Sequence, residues 1–190
     1  MPKRIFCLLG AFLLLGGCAG RSHNVRNDFL RIRSEWLTAE PAELRASLRA
    51  DYGTRVYDYV LRYAGNASGG TLTVEEPAIL SGVGVELGSG SPKLHYDGLE
   101  LDTGAVLGEW NPVQCFPLLL ESWASAAVTE CWEETRDGVA CLVAEFDLTA
   151  AGERDRRLCR TWFDLESHAP VAAEYLENGR TVLLLSFSES

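Results

Sequence analysis

Histidine is scarce in this 190-residue chain: there are three. No two of its cysteines stand as Cys-x-x-Cys. Zinc sites need close groups of thiolates and imidazoles, so no metal is expected. His23, His95 and His168 stand apart, without an acid–base partner at motif spacing, and read as surface and turn residues rather than general bases. Neither a Gly-x-Ser-x-Gly elbow nor a His-Glu-x-x-His helix occurs. Gly82-Val83-Gly84 lacks the third glycine of a dinucleotide loop, so no cofactor is expected either. Glu75-Glu76 and Glu133-Glu134 are adjacent, and neighbours on a strand point to opposite faces, which makes them poor catalytic pairs. The residues therefore point away from an enzyme. Basic residues are outnumbered, 17 to 27. Phosphate binding needs clustered cations, so no nucleic acid partner is expected.

Also missing is any apolar run of the roughly 20 residues that cross a bilayer. What the chain has is shorter. Lys3 and Arg4 precede an apolar stretch from Ile5 to Leu15, then Gly16-Gly17-Cys18. A charged start, an apolar core and small residues before a cut are the parts of a secretory leader. Leu15-Gly16-Gly17-Cys18 resembles the bacterial lipobox, which implies cleavage after residue 17 and acylation of Cys18; the alternative is an ordinary cleaved leader with an incidental cysteine. The expected organisation is a signal peptide at 1–17, a small polar tether at 18–24 and one domain at 25–190. The expected location is the outer face of a bacterial cell membrane, or the outer membrane of a two-membrane organism. The chain without its leader carries 15 basic and 27 acidic residues, net −12. An anionic bilayer repels so acidic a domain, which leaves membrane contact to acyl chains.

Cys115, Cys131, Cys141 and Cys159 remain in the domain. An oxidising compartment favours disulfides. The expected pairs are Cys141 with Cys159 on neighbouring strands and Cys115 with Cys131; the alternative is four buried free thiols.

The apolar positions Phe29, Leu30, Ile32, Trp36 and Leu37 fit one face of a helix over 25–37. Pro41 suits the first turn of a second helix, with Leu44 and Leu48 on one side and a stop at Gly53. The period then becomes two: Tyr57, Tyr59, Leu61 and Tyr63 share one face of a strand. Leu72 and Val74 alternate until Glu75-Glu76-Pro77 interrupts the ladder. Val83 to Leu87 and Leu94-His-Tyr read as strands, and Asp97-Gly98 as a hairpin turn into Leu99 and Leu101. Residues 113–126 break the pattern and read as a helix. Strands follow at 128–134, 139–148, 158–164, 171–176 and 181–187, with hairpins at Arg136-Asp137-Gly138 and Glu177-Asn178-Gly179. Successive hairpins make antiparallel neighbours, and so long a sheet must curl. The fold class is α+β: a strongly curved antiparallel sheet, an unclosed half-barrel, covered by N-terminal and inserted helices.

Three stretches carry a further likeness: Gly70-Thr-Leu-Thr-Val-Glu-Glu-Pro77, Leu94-His-Tyr-Asp-Gly-Leu-Glu-Leu101, and Trp162-Phe-Asp-Leu-Glu-Ser-His-Ala-Pro170 with Glu177-Asn-Gly179. Their order resembles the LolA/LolB-like lipoprotein superfamily. With a lipobox, the chain is most similar to its GerS-like germination lipoproteins. That resemblance implies a non-catalytic lipoprotein that holds a protein partner, a cell-wall amidase. The LolB-like alternative implies a carrier or receptor for acyl chains. Candidate residues for a cavity or partner surface are Tyr57, Tyr59, Tyr63, Leu72, Val74, Trp110, Phe116 and Trp123; the competing reading makes the same residues plain core. An open sheet edge also admits a homodimer.

Overall fold

The computed structural model describes residues 24–38, 42–88, 91–102 and 110–188. The leader, Cys18 and most of the tether lie outside them. One helix, α1 (Val25–Thr38), precedes six strands: β1 (Ala42–Asp51), β2 (Val56–Asn66), β3 (Gly69–Glu76), β4 (Gly84–Leu87), β5 (Lys93–Tyr96) and β6 (Leu99–Asp102). A short 3-10 turn at Pro112–Gln114 leads into α2 (Cys115–Ala124). Five further strands follow among the described residues: β7 (Val128–Arg136), β8 (Val139–Asp147), β9 (Arg157–Asp164), β10 (Pro170–Glu177) and β11 (Arg180–Ser188).

All eleven strands form one antiparallel sheet in the order β6-β5-β4-β3-β2-β1-β11-β10-β9-β8-β7. It has two edges and does not close. The α+β half-barrel expected from the hairpins is the observed fold. The first six strands wind outward to one edge. The second helix follows, and β7 begins the return from the other edge. The last strand closes the path by pairing with the first, Leu48 opposite Leu185.

The second N-terminal helix is not formed; residues 42–51 are β1. Leu44 and Leu48 are four apart, which suits a helix face, but Ala42, Ala46 and Ala50 complete an alternation of period two. Leu44, Ala46, Leu48 and Ala50 are buried, and Glu43, Ser47 and Arg49 are exposed. Ladders on both sides, to β2 and to β11, satisfy this backbone as a strand. Tertiary pairing outweighs the good helix propensity of Ala, Leu, Glu and Arg.

Both helices pack on the concave face. Phe29 and Ile32 of α1 and Phe116, Leu119 and Trp123 of α2 are buried against Leu48, Tyr63, Leu142 and Phe163 from the strands. Trp123 meets Phe163 edge-on, ring centroids 5.2 Å apart, and donates its indole N–H to Thr161 Oγ1 at 2.9 Å. Tyr63 stacks flat on Phe116 at 5.5 Å and donates its hydroxyl to the Asn66 carbonyl. Its ring crosses Gly65 and Gly70, where a Cβ would fall within 2.9 Å of tyrosine atoms and closer still to backbone. These glycines are therefore required by the packing.

The convex face has a smaller cluster of its own. Cys141, Val143, Trp162 and Ala172 are buried there, with Trp132, Val139 and Val171 half-buried around them. The Trp132 and Trp162 indoles both donate to the Glu134 carboxylate, and the Arg136 guanidinium lies 4.3 Å over the Trp162 ring.

Candidate functional site

The concave face is filled where the helices cover it. Of the eight cavity or partner candidates, Tyr63, Leu72, Trp110, Phe116 and Trp123 are buried core. Tyr59 and Val74 are half-buried against that core. Only Tyr57 is exposed, its ring 6.4 Å from Tyr59 and 6.2 Å from Tyr52. Burial pushes the Tyr63 hydroxyl pKa up to about 12, as an enclosed phenol requires.

The face is not covered to its edge. Tyr63 lies opposite Leu72, Leu72 opposite Val85, Val85 opposite Leu94, and Leu94 opposite Leu101. Directly opposite residues share a face, so this row runs along the concave side from the core to β6. Tyr96 and Leu99 stand beside it in the same register. Burial falls along the row. Leu72 and Val85 are enclosed and Leu94 is half-buried, whereas Tyr96, Leu99 and Leu101 are 48%, 66% and 59% exposed. Ile79, on the turn after Pro77, is exposed as well. Tyr96, Leu99 and Leu101 were not among the sequence candidates. The signal for them is the alternation in Leu94-His-Tyr-Asp-Gly-Leu-Glu-Leu101, which lays four apolar side chains on one face.

A second feature is a cleft of about 550 Å³ where the C-terminal half of α1 meets the paired ends of β1 and β11. Trp36, Leu44 and Phe187 line it, and Glu35, Arg45 and His168 stand at its rim. His168 ties the rim together. Its Nδ1 lies 2.7 Å from Glu35 Oε2, and its Nε2 lies 3.1 Å from an Arg31 guanidinium nitrogen. Arginine can only donate, so Nε2 accepts and the Nδ1–H donates to Glu35. Both ring nitrogens are thus engaged in joining α1 to the β9–β10 turn. His95 lies on β5 among Glu86 and Glu100.

The four cysteines are free. Cys141 and Cys159 do lie on neighbouring strands, but Cys141 pairs with Asp164 and Cys159 with Phe146. Cys141 and Phe146 are five positions apart on β8, an odd offset, so the two thiols point to opposite faces. Cys141 belongs to the convex cluster and Cys159 to the concave core. The other expected pair is not formed either: Cys115 opens α2, Cys131 lies on β7, and both thiols are free. Burial pushes the Cys115 thiol up to about 12 and raises Cys159 as well, so neither is a ready thiolate.

Among the described residues, no group of three or more His, Cys, Asp or Glu side chains could hold a metal ion, and no helix is long and apolar enough to cross a membrane.

No family model matches the sequence, and no curated protein matches it. Solved structures similar to the chain include LolA-superfamily proteins and lipoproteins. A LolA-superfamily protein from Nitrosomonas europaea is 12% identical, with a TM-score of 0.45 over 86% of this chain and 91% of that one. The lipoprotein LppX of Mycobacterium tuberculosis is 13% identical, with a TM-score of 0.43 over 84% and 91%. A structure of the CwlD amidase from Clostridioides difficile in complex with the GerS lipoprotein matches at 16% identity, with a TM-score of 0.40 over 100% and 98%. At these identities the likeness concerns chain shape, and the half-barrel assignment rests on the strand order itself.

Proposed function

We propose that this chain is an extracytoplasmic lipoprotein, moored through an acylated Cys18, that works by binding a protein partner and performs no catalysis. The observation that carries the reading is the contrast within one face of the sheet. Beneath the helices the aromatic side chains are packed shut. At the β5–β6 margin Tyr96, Leu99 and Leu101 are left open beside an edge that no strand of the described residues pairs. Such an edge offers backbone hydrogen bonds, and the leucines offer apolar contacts, to an incoming strand or loop. The GerS-like likeness of the turn sequences makes a cell-wall amidase the first partner to try, and a second copy of the chain the next.

The alternative is a carrier of acyl chains. The cleft floored by Trp36, Leu44 and Phe187 favours it, since its volume lies within the range of ligand pockets.

The test is made on the purified, acylated protein. Co-extracted lipid beyond its own anchor, identified by mass spectrometry, supports the carrier. Saturable binding of a purified amidase from the same cell, abolished by Leu99→Lys with Leu101→Lys, supports the partner-binding reading. Amidase binding that survives both substitutions places the contact elsewhere and defeats the β5–β6 assignment. Mooring is read separately: Cys18→Ala releases the protein from membranes or leaves it unprocessed, and unchanged processing and fractionation would reject acylation.

A further inference from the structure

The chain's negative charge is divided very unevenly, and the fold gives that division a direction. Residues 18–38 carry Arg21, Arg26, Arg31 and Arg33 against Asp28 and Glu35, a net charge of +2. Residues 39–190 carry 11 basic and 25 acidic residues, a net of −14. The piece next to the expected anchor is therefore cationic while the rest of the domain is acidic, and the helix described within it is α1.

The outer side of α1 is a defined stripe. Arg26, Asn27, Leu30, Ser34 and Leu37 are all exposed. At 100° per residue they fall within an arc of about 100°. Leu30 and Leu37, 49% and 59% exposed, run down its middle. Arg26 flanks it on one side and Arg31 on the other. The two acids of the helix point elsewhere: Glu35 is bonded to His168, and Asp28 falls on the same side of the helix as Glu35. Phe29 and Ile32 hold the opposite side against the sheet. The stripe is thus fixed in direction, apolar along its centre and free of carboxylates.

The length of chain outside the described residues says what covers it. Asn24 lies six positions after Cys18, and whatever the conformation between them that span reaches at most about 20 Å. That is about the length of the 14-residue helix itself. An acyl group at Cys18 therefore keeps α1 within one helix length of the bilayer at a very high local concentration. Exposed leucines flanked by arginines suit the headgroup boundary of an anionic membrane, whereas the acidic body is repelled from it.

We infer that the outward stripe of α1, centred on Leu30 and Leu37 with Arg26 and Arg31 at its flanks, lies on the surface of an anionic phospholipid bilayer and sets the orientation of the domain. This rests on the anchoring read at Cys18. The helices then face the membrane and the convex face of the sheet points to water.

The experiment uses the acylated protein reconstituted in vesicles of equal parts phosphatidylglycerol and phosphatidylcholine. The photo-crosslinking residue p-benzoylphenylalanine replaces Leu30 or Leu37, and as a control Asp58, which is exposed on the convex face. Phospholipid adducts are expected at 30 and 37, about tenfold above those at 58, and about tenfold fewer when phosphatidylglycerol is omitted. Adducts at 30 and 37 no more frequent than at 58, or adducts mainly to a second copy of the protein, would overturn the orientation. The mass of the N-terminal peptide reports acylation independently. An acylated protein that fails the crosslinking test sinks the orientation alone, and an unacylated one sinks the anchoring with it.

Discussion

Arg33 Nε of α1 donates to the Trp123 carbonyl at 2.7 Å, in the last turn of α2. A second guanidinium nitrogen reaches the Ser122 and Ala126 carbonyls. Those carbonyls lie in the last turn of the helix and just beyond it, and a cation at a helix C-terminus is favoured by its dipole. The contact joins the two helices that cover the sheet. Half-burial lowers the Arg33 pKa, yet guanidinium stays charged throughout the working range.

Arg33→Ala removes this cap and should cost about 2 kcal/mol, the scale of a hydrogen bond to a charged group. In a domain of this size that is about 4–8 °C in Tm. Thermal unfolding followed by circular dichroism reads it. A variant that melts with the wild type would show that the helices are held by their apolar faces alone.

Gly70→Val should destabilise by about 1–3 kcal/mol, because the added atoms meet the Ala64 carbonyl, the Gly65 backbone and the Tyr63 ring. Gly88→Ala is the control. Nothing among the described residues lies within 4 Å of its Cβ position, so its effect should stay within about 0.5 kcal/mol. Urea midpoints of the two variants separate the outcomes, and equal midpoints would contradict the close packing at the β2–β3 turn.

Glu134 gives the convex face a pH dependence. The indole N–H of Trp132, then that of Trp162, holds its carboxyl below the usual glutamate range, with Arg136 adding to the effect. A pKa lower in the folded than in the unfolded chain contributes stability that is complete above the unfolded value. It is lost as pH falls through the folded one. Glu134→Gln should therefore flatten the acid limb of the stability profile below about pH 4 while leaving fewer differences lower still. An unchanged limb would show that the carboxylate is not stabilised by the two tryptophans.

The four thiols of the domain should remain free. Cys115 and Cys159 are enclosed, and Cys141 is turned away from Cys159 by the strand pleat. Alkylation after denaturation without reductant should therefore label all four, and reductant should leave Tm unchanged. Loss of two labels would reveal a bridge that this fold does not form.

Much of the architecture was legible in local signals. Asp97-Gly98, Asp137-Gly138 and Asn178-Gly179 each place two residues at positive φ in the turns where hairpins were expected. Pro77 ends β3, as a residue without an N–H to donate should. Residues 25–37 read as a helix because their apolar positions follow a period near 3.6, residues 113–126 because they break the strand alternation, and both helices are present. The exception is β1, where alanine fits either period and only the flanking ladders decide.

The sequence by itself determined the alternation of each strand, the turns between them and the two amphipathic helices, since these depend on neighbours a few residues apart. It also placed the cationic stretch at the start of the domain. Tertiary structure alone decided that β1 lies beside β11, more than 130 residues away, and that α1 and α2 close over the middle of the sheet but not its β6 margin. It likewise decided that Cys141 and Cys159 face apart and that Tyr63 and Trp123 are core while Leu99 and Leu101 are open. These outcomes depend on strand order, register and which stretch of a curved face a helix reaches, and none of the three is encoded in a local period.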